Sequence, residues 1–212
     1  MTLVAYTKTN ASADHDLLWR KVNKAFPSTE NRGYFDEIKA RKNQDSIRES
    51  LSALLVLAEL LNRASTPTSA LIFSRQESGK PHFKNSQIEF SLSHSHGYAA
   101  AIISDDSKVG IDIEATEISP EKAAKLAERF FSADEKRELV ANPDSFLRIW
   151  TKKEAYAKMH GTPLSDLIAS EKNLPTGKRE NAAFCELSAN GHPMTVCLEK
   201  PCEIKDLGEI IV

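Results

Sequence analysis

Apolar residues Ile47, Leu51, Leu54, Leu55, Ala58 and Leu61 recur at intervals of three and four. That spacing puts side chains on one face of an α-helix. It predicts an amphipathic helix over residues 45–63, with Asp45 as its cap. Strands are predicted near 70–74, 88–93 and 98–104, and Asp105-Asp106-Ser107 reads as a turn into a strand over 108–114. Helices follow over 120–131, 133–141 and 143–160. Strands near 183–188, 194–199 and 208–212 close the chain, with Asn190-Gly191 as a hairpin turn between the first two. A long helix leading into several strands thus occurs twice, although no sequence repeat accompanies it. This order predicts an α+β fold in two halves, residues 1–105 and 106–212. No low-complexity linker separates them, so they should pack closely.

Within the strand over 108–114, Val109, Ile111 and Ile113 share one face, and Gly110, Asp112 and Glu114 the other. The two carboxylates then stand roughly 7 Å apart beside a residue without bulk. Such a pair suits a hard divalent cation, which prefers oxygen ligands. A wet acidic face is the plainer alternative. The helix over 143–160 starts after Pro143-Asp144 and stops at Gly161 and Pro163. Phe146, Ile149, Trp150 and Ala157 form its apolar stripe, while Arg148 and Lys152 face away. Lys153 falls inside the stripe and Glu154 beside it. Charges turned toward a core must be paired or bound to something. Lys158 follows Glu154 by one turn on the same side, which also allows an ordinary surface pair.

The 212 residues are 41% hydrophobic, enough for a packed core, and the net charge of −2 gives no global field for nucleic acid. The first residues lack a charged start and a long apolar run, so they do not read as a signal peptide. The longest mostly apolar run, Leu51 to Leu61, is too short for a membrane span. Cys185, Cys197 and Cys202 are few and odd in number, which predicts free thiols in a reducing cytoplasm. His192, Cys197 and Cys202 lack a fourth ligand at finger-like spacing.

Basic residues Lys39, Arg41, Lys42 and Arg48 gather around the first long helix, where Arg48 flanks the apolar stripe. Ser78-Gly79-Lys80-Pro81 reads as a tight turn that lets backbone approach a ligand. In the strand over 88–93, Ile88, Phe90 and Leu92 alternate with Ser91 and Ser93, and His94 sits at its end. His94 and His96 are spaced for a transition metal.

The segments Gly110-Ile111-Asp112-Ile113-Glu114 and Trp150-Thr151-Lys152-Lys153-Glu154-Ala155-Tyr156-Ala157-Lys158 together resemble signatures of the surfactin-type 4′-phosphopantetheinyl transferases. Gly79-Lys80-Pro81, Phe90-Ser91-Leu92-Ser93-His94-Ser95 and Arg129-Phe130-Phe131-Ser132-x-x-Glu135 match further signatures in the same order. The resemblance covers about residues 36–164. It implies two similar α+β subdomains packed as a pseudo-dimer, with the active site in the cleft between them. It implies transfer of the 4′-phosphopantetheine arm of coenzyme A to a Ser of an apo acyl- or peptidyl-carrier protein, releasing adenosine 3′,5′-bisphosphate.

On the same resemblance, Mg²⁺, with Mn²⁺ as an alternative, is held by Asp112, Glu114 and Glu154. Arg48, Ser78, Gly79, Lys80, Pro81, Ser93, His94 and Lys158 face coenzyme A, with Lys39 a further phosphate contact. The chemistry needs neutralisation of pyrophosphate charge, which suits Asp112 and Lys158, and a base for the carrier Ser, which suits Glu154 or, less well, Glu135. The expected protein is a cytoplasmic monomer that binds neither nucleic acid nor membrane. A basic stretch with Lys122, Lys125, Arg129, Lys136 and Arg137 between Glu114 and Glu138 is the expected docking surface for an acidic carrier helix. Two other readings compete: a metal-dependent phosphohydrolase using His94, His96, Asp112 and Glu114, and a non-catalytic module that binds coenzyme A or the carrier.

Overall fold

The computed structural model describes residues 1–170 and 182–212. Strand β1 (Thr2–Lys8) leads into helices α1 (His15–Ala25) and α2 (Arg32–Lys39), and then the long helix α3 (Gln44–Arg63). Strands β2 (Phe73–Arg75), β3 (Pro81–Phe83), β4 (Glu89–Ser95), β5 (Tyr98–Ser104) and β6 (Val109–Ile113) follow. Helices α4 (Pro120–Phe130), α5 (Ala133–Ala141), α6 (Ser145–His160) and α7 (Leu164–Ser170) precede β7 (Ala183–Ala189), β8 (His192–Leu198) and β9 (Ile204–Glu209). The chain is therefore α+β, as expected from its pattern.

Helix α3 starts one residue earlier than predicted. Asn43, not Asp45, caps it, accepting from the backbone N–H groups of Asp45 and Ser46. Its middle is buried all round, from Ser50 to Ala58. The apolar stripe faces the first sheet, and α1 packs over the opposite side. Aromatic packing closes this end, with Tyr34 of α2 stacked on Phe73 at 4.7 Å.

Among the described residues three sheets form, ordered β4-β5-β1-β9, β2-β3 and β6-β8-β7. β4 and β5 make a hairpin whose two turn residues, His96 and Gly97, both have positive φ. The last strand lies within 204–209 rather than 208–212, and it runs parallel to β1. The chain's end thus returns to the sheet in which it began. β1 buries Leu3 and Ala5 toward α3, and Val4 and Tyr6 toward the third sheet. On that side Val109, Ile111 and Ile113 pack with Ala100 and Ile102 in one cluster. The opposite face of β6 is not wet. Helix α6 covers it, and a Cβ at Gly110 would lie 1.9 Å from the Ala155 carbonyl oxygen. Gly110 is thus what brings α6 onto the strand.

Two edge strands meet where the sheets adjoin. β4 ends one sheet and β6 another, yet no backbone ladder joins them. Instead Ser91, Ser93 and Ser95 of β4 accept from the backbone N–H groups of Ile111, Ile113 and Ala115, each at 3.2 Å. Every second residue of β4 thus satisfies every second donor of β6. This serine ladder sets the two strands side by side, and the site is built along it.

Candidate functional site

Asp112 lies at the centre, with 4% of its surface exposed. Its Oδ1 accepts from Lys158 Nζ at 2.6 Å and from Ser93 Oγ at 2.9 Å. Lys158 also donates to Ser93 Oγ at 2.8 Å. Asp112 Oδ2 is buried and has no hydrogen-bond partner among the described residues. A buried, unpaired carboxylate oxygen is costly and calls for something to bind it. Two residues on, Glu114 accepts from Ser95 at 2.8 Å and from Thr116 at 3.3 Å. Burial, and then the charge of Asp112, push the Glu114 carboxyl above its usual range. The same two causes raise Glu154, with Glu114 adding to them and Lys158 opposing. Three carboxylates are thus concentrated around one ammonium.

Their oxygens suit a hard cation by donor type, and Asp112 Oδ2 is an available ligand. The expected set of Asp112, Glu114 and Glu154 does not, however, converge as a ready-made cage. Among the described residues no group of three or more His, Cys, Asp or Glu is placed to hold a metal ion. Lys158 is the cation on Asp112, while Glu114 is turned to Ser95 and Thr116.

Glu154 and Lys158 line a cavity of about 290 Å³ with Ser78, Lys80, Pro81 and Ser91. The turn over residues 76–80 is closed by a bond from Gly79 N to the Gln76 carbonyl, with Gly79 at φ +88°. It abuts Gly161, the left-handed cap of α6, where a Cβ would meet Gln76 Oε1 at 2.9 Å. Lys80, expected on a phosphate, is turned to partners within the protein. Its ammonium donates to the carbonyls of Val109 at 3.0 Å and Met159 at 3.2 Å, with Glu89 at 3.7 Å. Burial lowers its pKa, against the pull of Glu89. Lys80 thus ties the turn to β6 and to the end of α6, where free carbonyls attract a cation.

Arg48 lines a different cavity, of about 390 Å³, with Asn43, Asp45, Glu49, His96 and Gly97. Its guanidinium is paired with Asp45, while its Nε is buried without a partner among the described residues. His94 is bracketed by Glu49 at 2.9 Å and Ser50 at 3.2 Å. His96 is 2.7 Å from Thr116 Oγ1. Lys39 lies on the surface of α2, over the Trp19 ring at 4.8 Å and 3.8 Å from Asp36, and lines neither cavity.

One other expectation is changed, and the neighbouring residues find their places. Glu135 is 1% exposed, 2.8 Å from Lys153, and closes the capping box of α5. That answers what pairs with the inward-facing Lys153, and it removes Glu135 as a base. Phe131 stacks on Phe146 at 5.2 Å and Phe130 packs edge-on to Trp150 at 5.6 Å, so this aromatic pair belongs to a core. His192 packs on Tyr98 and Cys202 lies 3.1 Å from Thr2, while Cys197 is buried, its thiol pushed up to about 12 by burial. Glu49, Ser50, Ser95, Thr116 and Gly161 are site residues that sequence reasoning missed. The Ser91-Ser93-Ser95 alternation was visible. The pairing of Glu49 with His94, across 45 residues, leaves no local signal.

Residues 108–197 match the 4′-phosphopantetheinyl transferase superfamily. The chain is 34% identical over 149 residues to the 4′-phosphopantetheinyl transferase AcpT of Salmonella typhi, covering 67% of this chain and 73% of that protein. It is 36% identical over 132 residues to the 4′-phosphopantetheinyl transferase psf-1 of Bacillus pumilus, and 34% over 129 residues to Sfp of Bacillus subtilis strain 168. The matches span 59% and 58% of this chain, and 55% of each Bacillus protein, about half its length.

Proposed function

The chain belongs to the 4′-phosphopantetheinyl transferase family, and from that premise we propose that it moves the 4′-phosphopantetheine arm of coenzyme A onto a Ser of an apo-carrier protein. Adenosine 3′,5′-bisphosphate leaves. The observation that carries this reading is the Asp112–Lys158 pair beside an unpartnered carboxylate oxygen, with Glu154 of the adjoining cavity held above its usual pKa.

The residues divide the work. Lys158 is placed to meet phosphate charge and to stabilise more as it develops on the leaving group. Glu154, less acidic than an ordinary carboxylate, takes the proton of the incoming Ser, directly or through water. Asp112, Glu114 and Glu154 would hold Mg²⁺, or Mn²⁺ in its place, which neutralises pyrophosphate oxygens. Arg48 and His94 meet the phosphates of coenzyme A, and the Ser78-to-Pro81 turn walls its cavity, fixed there by Lys80. Ser93 orients both Asp112 and Lys158. The nucleophile comes on the partner, so no Ser of this chain needs activation.

The two larger sheets, each with a long helix, fit a pseudo-dimer divided near residue 105, with β9 returned to the first half. A monomer in the cytoplasm is the proposed state; among the described residues no helix is long and apolar enough to cross a membrane. The carrier docks on the segment after Glu114, where Lys122 and Lys125 are exposed. The phosphohydrolase reading is less supported, since among the described residues His94 and His96 join Asp112 and Glu114 in no group of three or more placed to hold a metal ion.

The deciding experiment incubates the protein with coenzyme A, Mg²⁺ and an apo-carrier, then weighs the carrier. A gain of about 340 Da, one phosphopantetheine arm, is expected. Release of phosphate without carrier modification would replace this reading with hydrolysis. An unchanged carrier across fatty-acid, polyketide and peptide-synthetase types would leave only a binding role.

A further inference from the structure

Two serines of β4 each serve the seam twice. Ser93 Oγ accepts the backbone N–H of Ile113 at 3.2 Å and donates to Asp112 Oδ1 at 2.9 Å. Ser95 Oγ accepts the backbone N–H of Ala115 at 3.2 Å and donates to Glu114 Oε2 at 2.8 Å. Each thus takes a donor from one residue and gives its single hydrogen to the carboxylate of the residue before it. Ser91 accepts in the same way from Ile111 at 3.2 Å, but the residue before that is Gly110, which has no carboxylate. The alternation of Ser91, Ser93 and Ser95 therefore matches that of Gly110, Asp112 and Glu114. At both carboxylates the serine occupies one oxygen and leaves the other. Asp112 Oδ2 has no hydrogen-bond partner among the described residues. Glu114 is met by Ser95 and, at 3.3 Å, by Thr116, both on Oε2, so Oε1 stays open among the described residues.

We propose that Ser95 is a positioning residue, which holds Glu114 by Oε2 and so leaves Oε1 for the divalent cation that Asp112 shares. This rests on the reading that Asp112 and Glu114 hold that cation. A glutamate side chain has several rotatable bonds, and ordering it as the cation arrives costs rotamer entropy. A hydroxyl that fixes one oxygen beforehand removes part of that cost. Asp112 is shorter and is held a second time by Lys158 at 2.6 Å. Glu114 relies on hydroxyls alone among the described residues, and Ser95 makes the shorter of its two contacts. Ser95 is 8% exposed, so bulk water does not compete for the bond. Ser93 plays the matching part for Asp112, but it also takes a bond from Lys158 at 2.8 Å, so a change there would disturb two charges at once.

Ser95→Ala removes the hydroxyl, and Mn²⁺ titration followed by electron paramagnetic resonance, without coenzyme A or carrier, reads the effect. The variant should bind Mn²⁺ about 10-fold more weakly, the lower end for loss of a hydrogen-bond partner behind a metal ligand. Ser95→Thr keeps the hydroxyl and should stay within about 2-fold of the wild type. Ser91→Ala strips a backbone N–H of its acceptor in the same way but frees no carboxylate. Denaturant titration should show both alanine variants folded and similarly destabilised, with Mn²⁺ affinity lost in Ser95→Ala alone. If Ser95→Ala does not fold, Ser95→Cys, close in shape but a weak donor, should weaken Mn²⁺ binding in its place. In the transfer assay the Mg²⁺ concentration for half-maximal rate should rise about 10-fold, with kcat at saturating Mg²⁺ changed less. Unchanged Mn²⁺ affinity in Ser95→Ala overturns the proposal, and tighter binding reverses it, since Ser95 would then hold Glu114 away from the cation. Equal weakening by Ser91→Ala, or no rescue by a folded Ser95→Thr, also overturns it. A wild type that binds Mn²⁺ and transfers the arm, beside a Ser95→Ala that binds Mn²⁺ as well, sinks this inference and spares the transferase reading. A wild type that transfers without bound cation removes the cation and this inference together. Should transfer be absent, the Mn²⁺ titrations still decide the role of Ser95.

Discussion

Asp112 illustrates how a residue's type and its partners make different statements. The sequence places it on the face of β6 away from the valine and isoleucines, but only the structure shows one oxygen bridged to Lys158 and the other buried alone. Asp112→Ala should leave a folded protein and reduce transfer about 100-fold or more, because Lys158 loses its anchor and a ligand oxygen disappears. Turnover near wild type at saturating coenzyme A and Mg²⁺ would remove Asp112 from the site. Arg48 and Lys80, equivalent by resemblance, are not equivalent in place. Arg48→Ala should weaken coenzyme A about 10- to 100-fold, and dephospho-coenzyme A less, as loss of a charge-assisted bond to phosphate predicts. Lys80→Met should instead lower Tm, by about 5 °C, since two buried carbonyls lose their donor. Calorimetry with both ligands and a melting curve for each variant separate the two roles. A Lys80→Met protein with unchanged Tm and a lost preference for coenzyme A would restore Lys80 to the phosphate.

Helix α6 carries Glu154 and Lys158, so its seat on β6 places both side chains beside Asp112. Gly110 was legible as a residue without bulk, yet the pressure comes from a helix backbone rather than from a ligand. Gly110→Ala should destabilise the fold by about 3 kcal/mol, the upper end for overpacking, because carbonyl and amide atoms cannot step aside as side chains do. Denaturant titration checks it, and activity should fall with the displacement of α6. A loss under about 0.5 kcal/mol, typical of unconstrained sites, would show that the helix moves freely.

The Lys153–Glu135 pair joins α6 to α5. Lys153→Met strands Glu135 in the core and should cost about 3–5 kcal/mol, and adding Glu135→Gln should recover much of it. Equal stability of the single and double variants would show that the ion pair is not what keeps Glu135 ionised and buried. Helix existence was readable for α3 to α6 because their apolar periodicity is long. β1, α1 and α2 were not singled out, since β1 is buried on both faces and so shows no alternation. Burial of α3 all round follows from α1, an element the pattern had not supplied.

At the scale of the whole molecule, two sheets adjoin through serine side chains rather than a continuous ladder, and charges meet across that seam. The carrier surface belongs to the same scale. Lys136 is paired with Glu128 and Arg137 with Asp134, which leaves Lys122 and Lys125 as the lysines of that stretch that are exposed without such partners among the described residues. Reversing Lys122, Lys125 and Lys136 to Glu should raise KM for the carrier and leave KM for coenzyme A nearly unchanged, most clearly at low salt. Unaltered carrier kinetics at low salt would move the docking face elsewhere.

By itself the sequence determined the α+β class, most of the element order from α3 to β8 and the family, because periodicity and short motifs are local properties. It also placed Asp112 and Glu114 on one strand, and Glu154 and Lys158 one turn apart on one helix. Tertiary structure alone decided that Lys158 rests on Asp112, that Lys80 turns inward to carbonyls, that Glu135 answers Lys153 and that Glu49 grips His94. Each of these joins a charge to a partner on another element. Which partner it meets depends on how burial and hydrogen bonding are satisfied together, and no local pattern encodes that.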